Sequence, residues 1–135
     1  MPSDISILVN NVGMSKIGML DKHSIWNAIS SINVNLNSQT YMTYLLLPKL
    51  LERRSRSAII NISSYAARNP KGASIMPIYS ATKSYNQSLS LSLHSAYKEK
   101  IDVISVLPKA CMTNIWGVKT FWTITAEAHA KAVID

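Results

Sequence analysis

Glycine is scarce in this chain: four residues in 135. That excludes a glycine-rich turn of the kind that lets backbone N–H groups approach a phosphate. Cysteine is scarcer still. Cys111 stands alone, so no internal disulfide forms, and it has no convincing partner as a nucleophile. The three histidines, His23, His94 and His129, are far apart and lack metal-ligand spacing. Acidic residues number seven against fourteen Lys and Arg, a formal charge of +7. The excess suits an anionic ligand such as a phosphate-bearing cofactor. The basic residues are scattered, however, and the one cluster, Arg53, Arg54 and Arg56, has no interleaved aromatics. A nucleic-acid partner is therefore not expected. No apolar run reaches the ~18 residues of a membrane span, and Asp4 ahead of a short apolar run does not make a signal peptide.

What is present is a regular alternation. At 47% apolar and 16% charged, the composition supports a core. Ile5 to Val9 reads as a buried strand ending in Asn10, Asn11 and Gly13. From Ser24 to Leu51 the period becomes helical, with Ile25, Ile29, Ile32, Leu36, Thr43, Leu47 and Leu50 as the inward stripe and Pro48 near the end. Ser57 to Ser63 is a second strand, followed by a loop punctuated by Asn69-Pro70. A second helix begins near Pro77, with Ile78, Tyr85, Leu89, Leu93 and Ala96 as its buried stripe. Ile101 to Pro108 is a third strand, and the last eleven residues, TAEAHAKAVID, open another helix. This order predicts an α/β layered fold around a parallel sheet. Three strands leave two unpaired edges, which points to one partial domain of a larger doubly wound sheet.

Ligands of such sheets lie beyond the carboxyl ends of the strands. There the sequence puts Asn10, Asn11 and Gly13, then Ser63 and Ser64, then Thr113 shortly after Pro108. Tyr79 and Lys83, four apart at the start of the second helix, share one helical face. They are either a proton-transfer pair or an ordinary aromatic beside a solvated lysine. Asn35 inside the first helix is a mediocre helix former that needs a reason.

In order, LVNNVGMS, INVN, NISS, YSATK and SVLP resemble the short-chain dehydrogenase/reductase superfamily over nearly the whole chain. The nearest branch is that of 17β-hydroxysteroid dehydrogenases types 12 and 3, which includes the very-long-chain 3-oxoacyl-CoA reductases. The resemblance implies a Rossmann-like fold, NADP(H) as cofactor and reduction of a ketone, either a 3-oxoacyl-CoA or a 17-ketosteroid. It implies a catalytic set of Asn35, Ser64, Tyr79 and Lys83. Ser64 is preferred to Ser63 because the family's serine is usually the second of the pair. Tyr79 would donate the proton, Lys83 would lower the phenol's pKa and hold the cofactor ribose, and Ser64 would hold the substrate oxygen. Asn35 would hold a water linking Lys83 to solvent. Asn10 and Gly13 would flank the cofactor, and Thr113 would meet its nicotinamide amide. Two further implications are a location at the endoplasmic reticulum and a homodimer formed through the long helices. The family's glycine-rich cofactor turn is absent, so the chain is expected to be the C-terminal catalytic half of the fold, with strands missing before Met1 and after Asp135. A catalytically inactive remnant or interaction protein is the alternative.

Overall fold

The computed structural model describes residues 4–71, 73–109, 111–112, 124–125 and 131. Strand β1 is Ile7–Asn10, β2 is Ser57–Ile62 and β3 is Ile101–Val106. They form a parallel sheet in the order β1-β2-β3. Between β1 and β2 runs one continuous helical segment: α1 (Ile25–Ile32), a π-helical turn (Asn33–Asn37) and α2 (Ser38–Glu52). Helix α3, Pro77–Tyr97, joins β2 to β3. Two short paired segments, β4 (Cys111–Met112) and β5 (Ile124–Thr125), form a second parallel ladder. The α/β architecture is therefore the expected Rossmann-like parallel sheet with long flanking helices. The strand limits differ by one or two residues; β1 starts at Ile7 and extends through Asn10. The expected closing helix falls almost entirely outside the described residues.

Period-2 alternation puts Leu8, Ile59 and Val103 side by side on one sheet face. With Leu46 and Leu50 of α2 and Ile101, they make the apolar core. The other face carries Ile7, Val9 and Ile104, each about half exposed. Among the described residues both long helices lie on the first face only.

Two helical stripes differ from expectation. Ile25 is 66% exposed and Trp26 72%, while Ser31, Asn35, Gln39, Thr43, Leu46 and Leu50 point inward. The apolar side of α1 faces out because its polar side faces the site described below. The π turn adds one residue to the spiral, a phase change of about 100°. The carbonyls it displaces are satisfied locally: Ser38 Oγ donates to Val34 O at 2.5 Å and Thr40 Oγ1 to Leu36 O at 2.9 Å. On α3 the buried stripe is Ser80, Thr82, Lys83, Asn86 and Ser90, and the expected Ala96 is exposed. Pro77 occupies the first turn of α3, where its missing N–H costs nothing. Pro48 is tolerated inside α2, which continues to Glu52.

The arginine cluster is used structurally. Arg53 pairs with Asp4. Arg56 bonds Asp102 and the carbonyls of Lys98 and Glu99, fastening the turn between α3 and β3.

Candidate active site

The carboxyl ends of β1 and β2 are tied to the helices by amides. Asn10 and Asn61 face each other across the register, and Asn10 Nδ2 donates to Asn61 Oδ1 at 2.8 Å. The same nitrogen reaches Thr43 Oγ1 of α2 at 3.1 Å, and Asn61 Nδ2 reaches Ser90 Oγ of α3 at 2.8 Å. Thus Asn10, expected beside the cofactor, is buried and holds strand to helix. Asn61 and Ser90 escaped the sequence reading, and Thr43 entered it only as part of the inward stripe. The signal was an asparagine inside an otherwise apolar buried strand.

Lys83 lies at the centre. Only 4% of it is exposed. Its Nζ donates to Ile62 O at the end of β2 at 2.7 Å and sits 5.8 Å from the Tyr79 ring centroid. Burial strips water from the ammonium and lowers its pKa from 10.5 to about 8. The i, i+4 spacing on α3 therefore brings the two side chains together.

The Asn35 side chain is committed to protein partners. Its Oδ1 accepts from Met14 N at 2.7 Å, and its Nδ2 donates to Met14 O at 2.9 Å and Thr82 Oγ1 at 3.1 Å. Both amide hydrogens are spent. The side chain clamps the segment after β1 onto α3, a structural role the sequence reading did not foresee. The π turn places it there. Asn86, buried one turn beyond Lys83, satisfies its surroundings when its nitrogen faces the carbonyls of Thr82 and Asn35, at 3.2 and 3.3 Å. Gly13 lies against this group: a Cβ added there would be 3.5 Å from Lys83 Nζ and 3.7 Å from Asn35 Oδ1. These are ordinary contacts, so its place is near Lys83 but not sterically confined to glycine.

The two serines after β2 separate cleanly. Ser63 is buried, and its hydroxyl donates to Lys83 O at 2.7 Å. Ser64 is half-buried and caps the short turn Tyr65–Ala67 by accepting from Ala66 N at 3.2 Å. That turn is fixed to α3 by Ser80 Oγ to Ala66 O at 2.8 Å and Ser84 Oγ to Ala67 O at 3.2 Å. The loop bearing Ser64 and the helix bearing Tyr79 are thus one rigid unit. Thr113 lies outside the described residues. Beside Tyr79 is a small surface cleft, lined in part by Lys16, His23, Asn27 and Ser31. No helix among the described residues is long and apolar enough to cross a membrane, and no cluster there has metal-ligand composition.

The short chain dehydrogenase family matches residues 2–122. The chain belongs to that family. Among curated members, the very-long-chain 3-oxoacyl-CoA reductase of Homo sapiens is 43% identical over 138 aligned positions, covering 97% of this chain and 43% of that protein. The Macaca fascicularis protein of the same name is 41% identical with the same coverage. The chain therefore spans less than half the length of these relatives. Among solved structures, a short-chain dehydrogenase from Sphingobium yanoikuyae in complex with NADPH superposes with a TM-score of 0.88 at 28% identity, over 96% of this chain and 52% of that one. One from Burkholderia cenocepacia in complex with NADP gives 0.84 at 26%, over 98% and 59%.

Proposed function

We propose that these residues form the proton-transfer half of an NADP(H)-dependent ketone reductase, with Tyr79 as the acid. The carrying observation is Lys83, a buried ammonium beside the Tyr79 ring at the carboxyl ends of the strands. Tyrosine's ordinary pKa of ~10 is too high for ready exchange near neutrality. A neighbouring ammonium favours the phenolate and so eases departure of the proton. Tyr79 donates it to the carbonyl oxygen of the ketone, and Ser64 holds that oxygen as charge develops on it. Ser64 suits this role better than Ser63, whose hydroxyl is committed to Lys83 O.

The donor set fits a nicotinamide cofactor. An ammonium has three N–H groups, and Lys83 uses one on Ile62 O, leaving others for the phenol and a ribose hydroxyl. Gly13 beside Lys83 leaves room on the same rim. When bound, the cofactor supplies the hydride. Asn35 positions Lys83's surroundings through Met14 and Thr82. The chain then corresponds to the catalytic half of its relatives' fold. Their names favour a 3-oxoacyl thioester over a steroid as substrate.

The test is a pH–rate profile of ketone reduction by a form of the protein that carries a cofactor turn. Reduction should fall as pH rises through about 8, where Lys83 loses its charge. Lys83→Met should be slow at every pH, without that step. A profile unchanged by Lys83→Met would sink the proposal.

A further inference from the structure

Polar side chains fill the contact between α3 and the π turn, and they bracket Lys83. Thr82 Oγ1 accepts from Asn35 Nδ2 at 3.1 Å and donates to Tyr79 O at 2.8 Å. Thr40 Oγ1 spends its hydrogen on Leu36 O, so the Tyr85 hydroxyl, 2.9 Å away, donates to it. Asn86 is 1% exposed, and Gln39, which meets it from α2, is 4% exposed. The two ends of an amide are alike in shape, so the surrounding partners decide which is which. With its nitrogen on the carbonyls of Thr82 and Asn35, Asn86 sets its oxygen 2.8 Å from the Gln39 amide. The Gln39 nitrogen has no partner when turned away and gains this oxygen when turned toward it. Both amide hydrogens of Asn86 are then used.

Three successive carbonyls of the π turn thus take side-chain donors: Val34 from Ser38, Asn35 from Asn86 and Leu36 from Thr40. The middle donor comes from α3. Asn35 is the residue that clamps Met14, and Thr82 directly precedes Lys83. Two apolar side chains would fill the same space without the cost of burying two amides. What the amides add is direction, because a hydrogen bond fixes the angle and distance of each carbonyl it meets. We propose that Asn86, oriented by Gln39, is a positioning residue for proton transfer. By holding the Asn35 and Thr82 carbonyls it keeps the π turn and α3 in the register that sets Lys83 beside Tyr79. The inference rests on the Tyr79–Lys83 assignment made above.

The test is the double substitution Asn86→Leu with Gln39→Met, which keeps the bulk and removes both amides, in a form carrying the cofactor turn. Removing the two amides together leaves neither orphaned by the other, so the urea midpoint should stay near the parent's. The kcat of ketone reduction should fall about tenfold, the scale of a small misplacement, with KM for NADPH and for the ketone within about twofold. Gln39→Met alone leaves both Asn86 donors in place and should lower kcat by less than about threefold. A parental kcat in the double variant overturns the positioning role. So does a kcat that falls only together with the urea midpoint, or one that falls as far with Gln39→Met alone. The Tyr79–Lys83 assignment survives any of these results if Tyr79→Phe and Lys83→Met still abolish reduction. If those two variants retain it, that assignment falls and the positioning role falls with it.

Discussion

Lys83 is the residue on which most of the chemistry converges, and it leaves a mark on stability. Its folded pKa, about 8, lies below the ordinary 10.5. Below pH 8 both folded and unfolded chains hold the proton, and folding bears the full cost of burying charge. Between 8 and 10.5 the unfolded chain binds more protons, so stability rises with pH by up to about 3 kcal/mol. Urea denaturation at pH 7, 9 and 10.5 should show that rise, and Lys83→Met should flatten it. The serines give a second contrast. Ser63→Ala should cost about 1 kcal/mol of stability, because Lys83 O loses a buried partner. Ser64→Ala should change stability less and reduction more. Equal effects of the two variants on turnover would undo the assignment. That Tyr79 and Lys83 share a face was legible from spacing, since a helix forces residues four apart onto one face, but spacing left their chemistry open until the family resemblance was added. The role of Asn35 was not legible, because nothing local reveals that its amide reaches Met14, twenty-one residues back.

Among the elements, the π turn at Asn33–Asn37 is the least visible from sequence and matters most to the site. Reading the helix with an unbroken 3.6 period put Ile25, Ile29 and Ile32 inside. They are outside because the inward side of α1 has to be polar to meet the cleft, and one inserted residue restores an apolar inward side farther along, at Leu46 and Leu50. Similarly, α3 buries Ser80, Asn86 and Ser90 beyond the expected stripe, of which Leu93 packs against the core and Ala96 is exposed. A three- and four-residue recurrence of small polar residues was the available signal. Deleting Val34 should convert the turn to α-helix, rotate α1 by about 100° against α2, and break the Asn35–Met14 clamp. Hydrogen exchange should then show the Met14 amide losing protection. Retained protection would mean that the turn does not set the clamp.

For the molecule as a whole, the order of elements and the parallel register were readable, because alternating strand and helix periods leave few topologies open. The second face of the sheet, which no long helix among the described residues covers, was not. Ile7, Val9 and Ile104 are each about half exposed there, an apolar surface of the kind that attracts partners. The 135-residue chain should therefore enhance the fluorescence of an apolar dye, and Ile104→Lys should reduce the signal while leaving helix content unchanged. An unaltered signal would place the dye elsewhere. The central claim, that Tyr79 supplies the proton, is met most directly by Tyr79→Phe in a form carrying the cofactor turn. Ketone reduction measured as NADPH consumption should fall by at least about a hundredfold, with NADPH affinity within twofold of the parent. Turnover retained at the parent rate, with the cofactor still bound, would contradict the account.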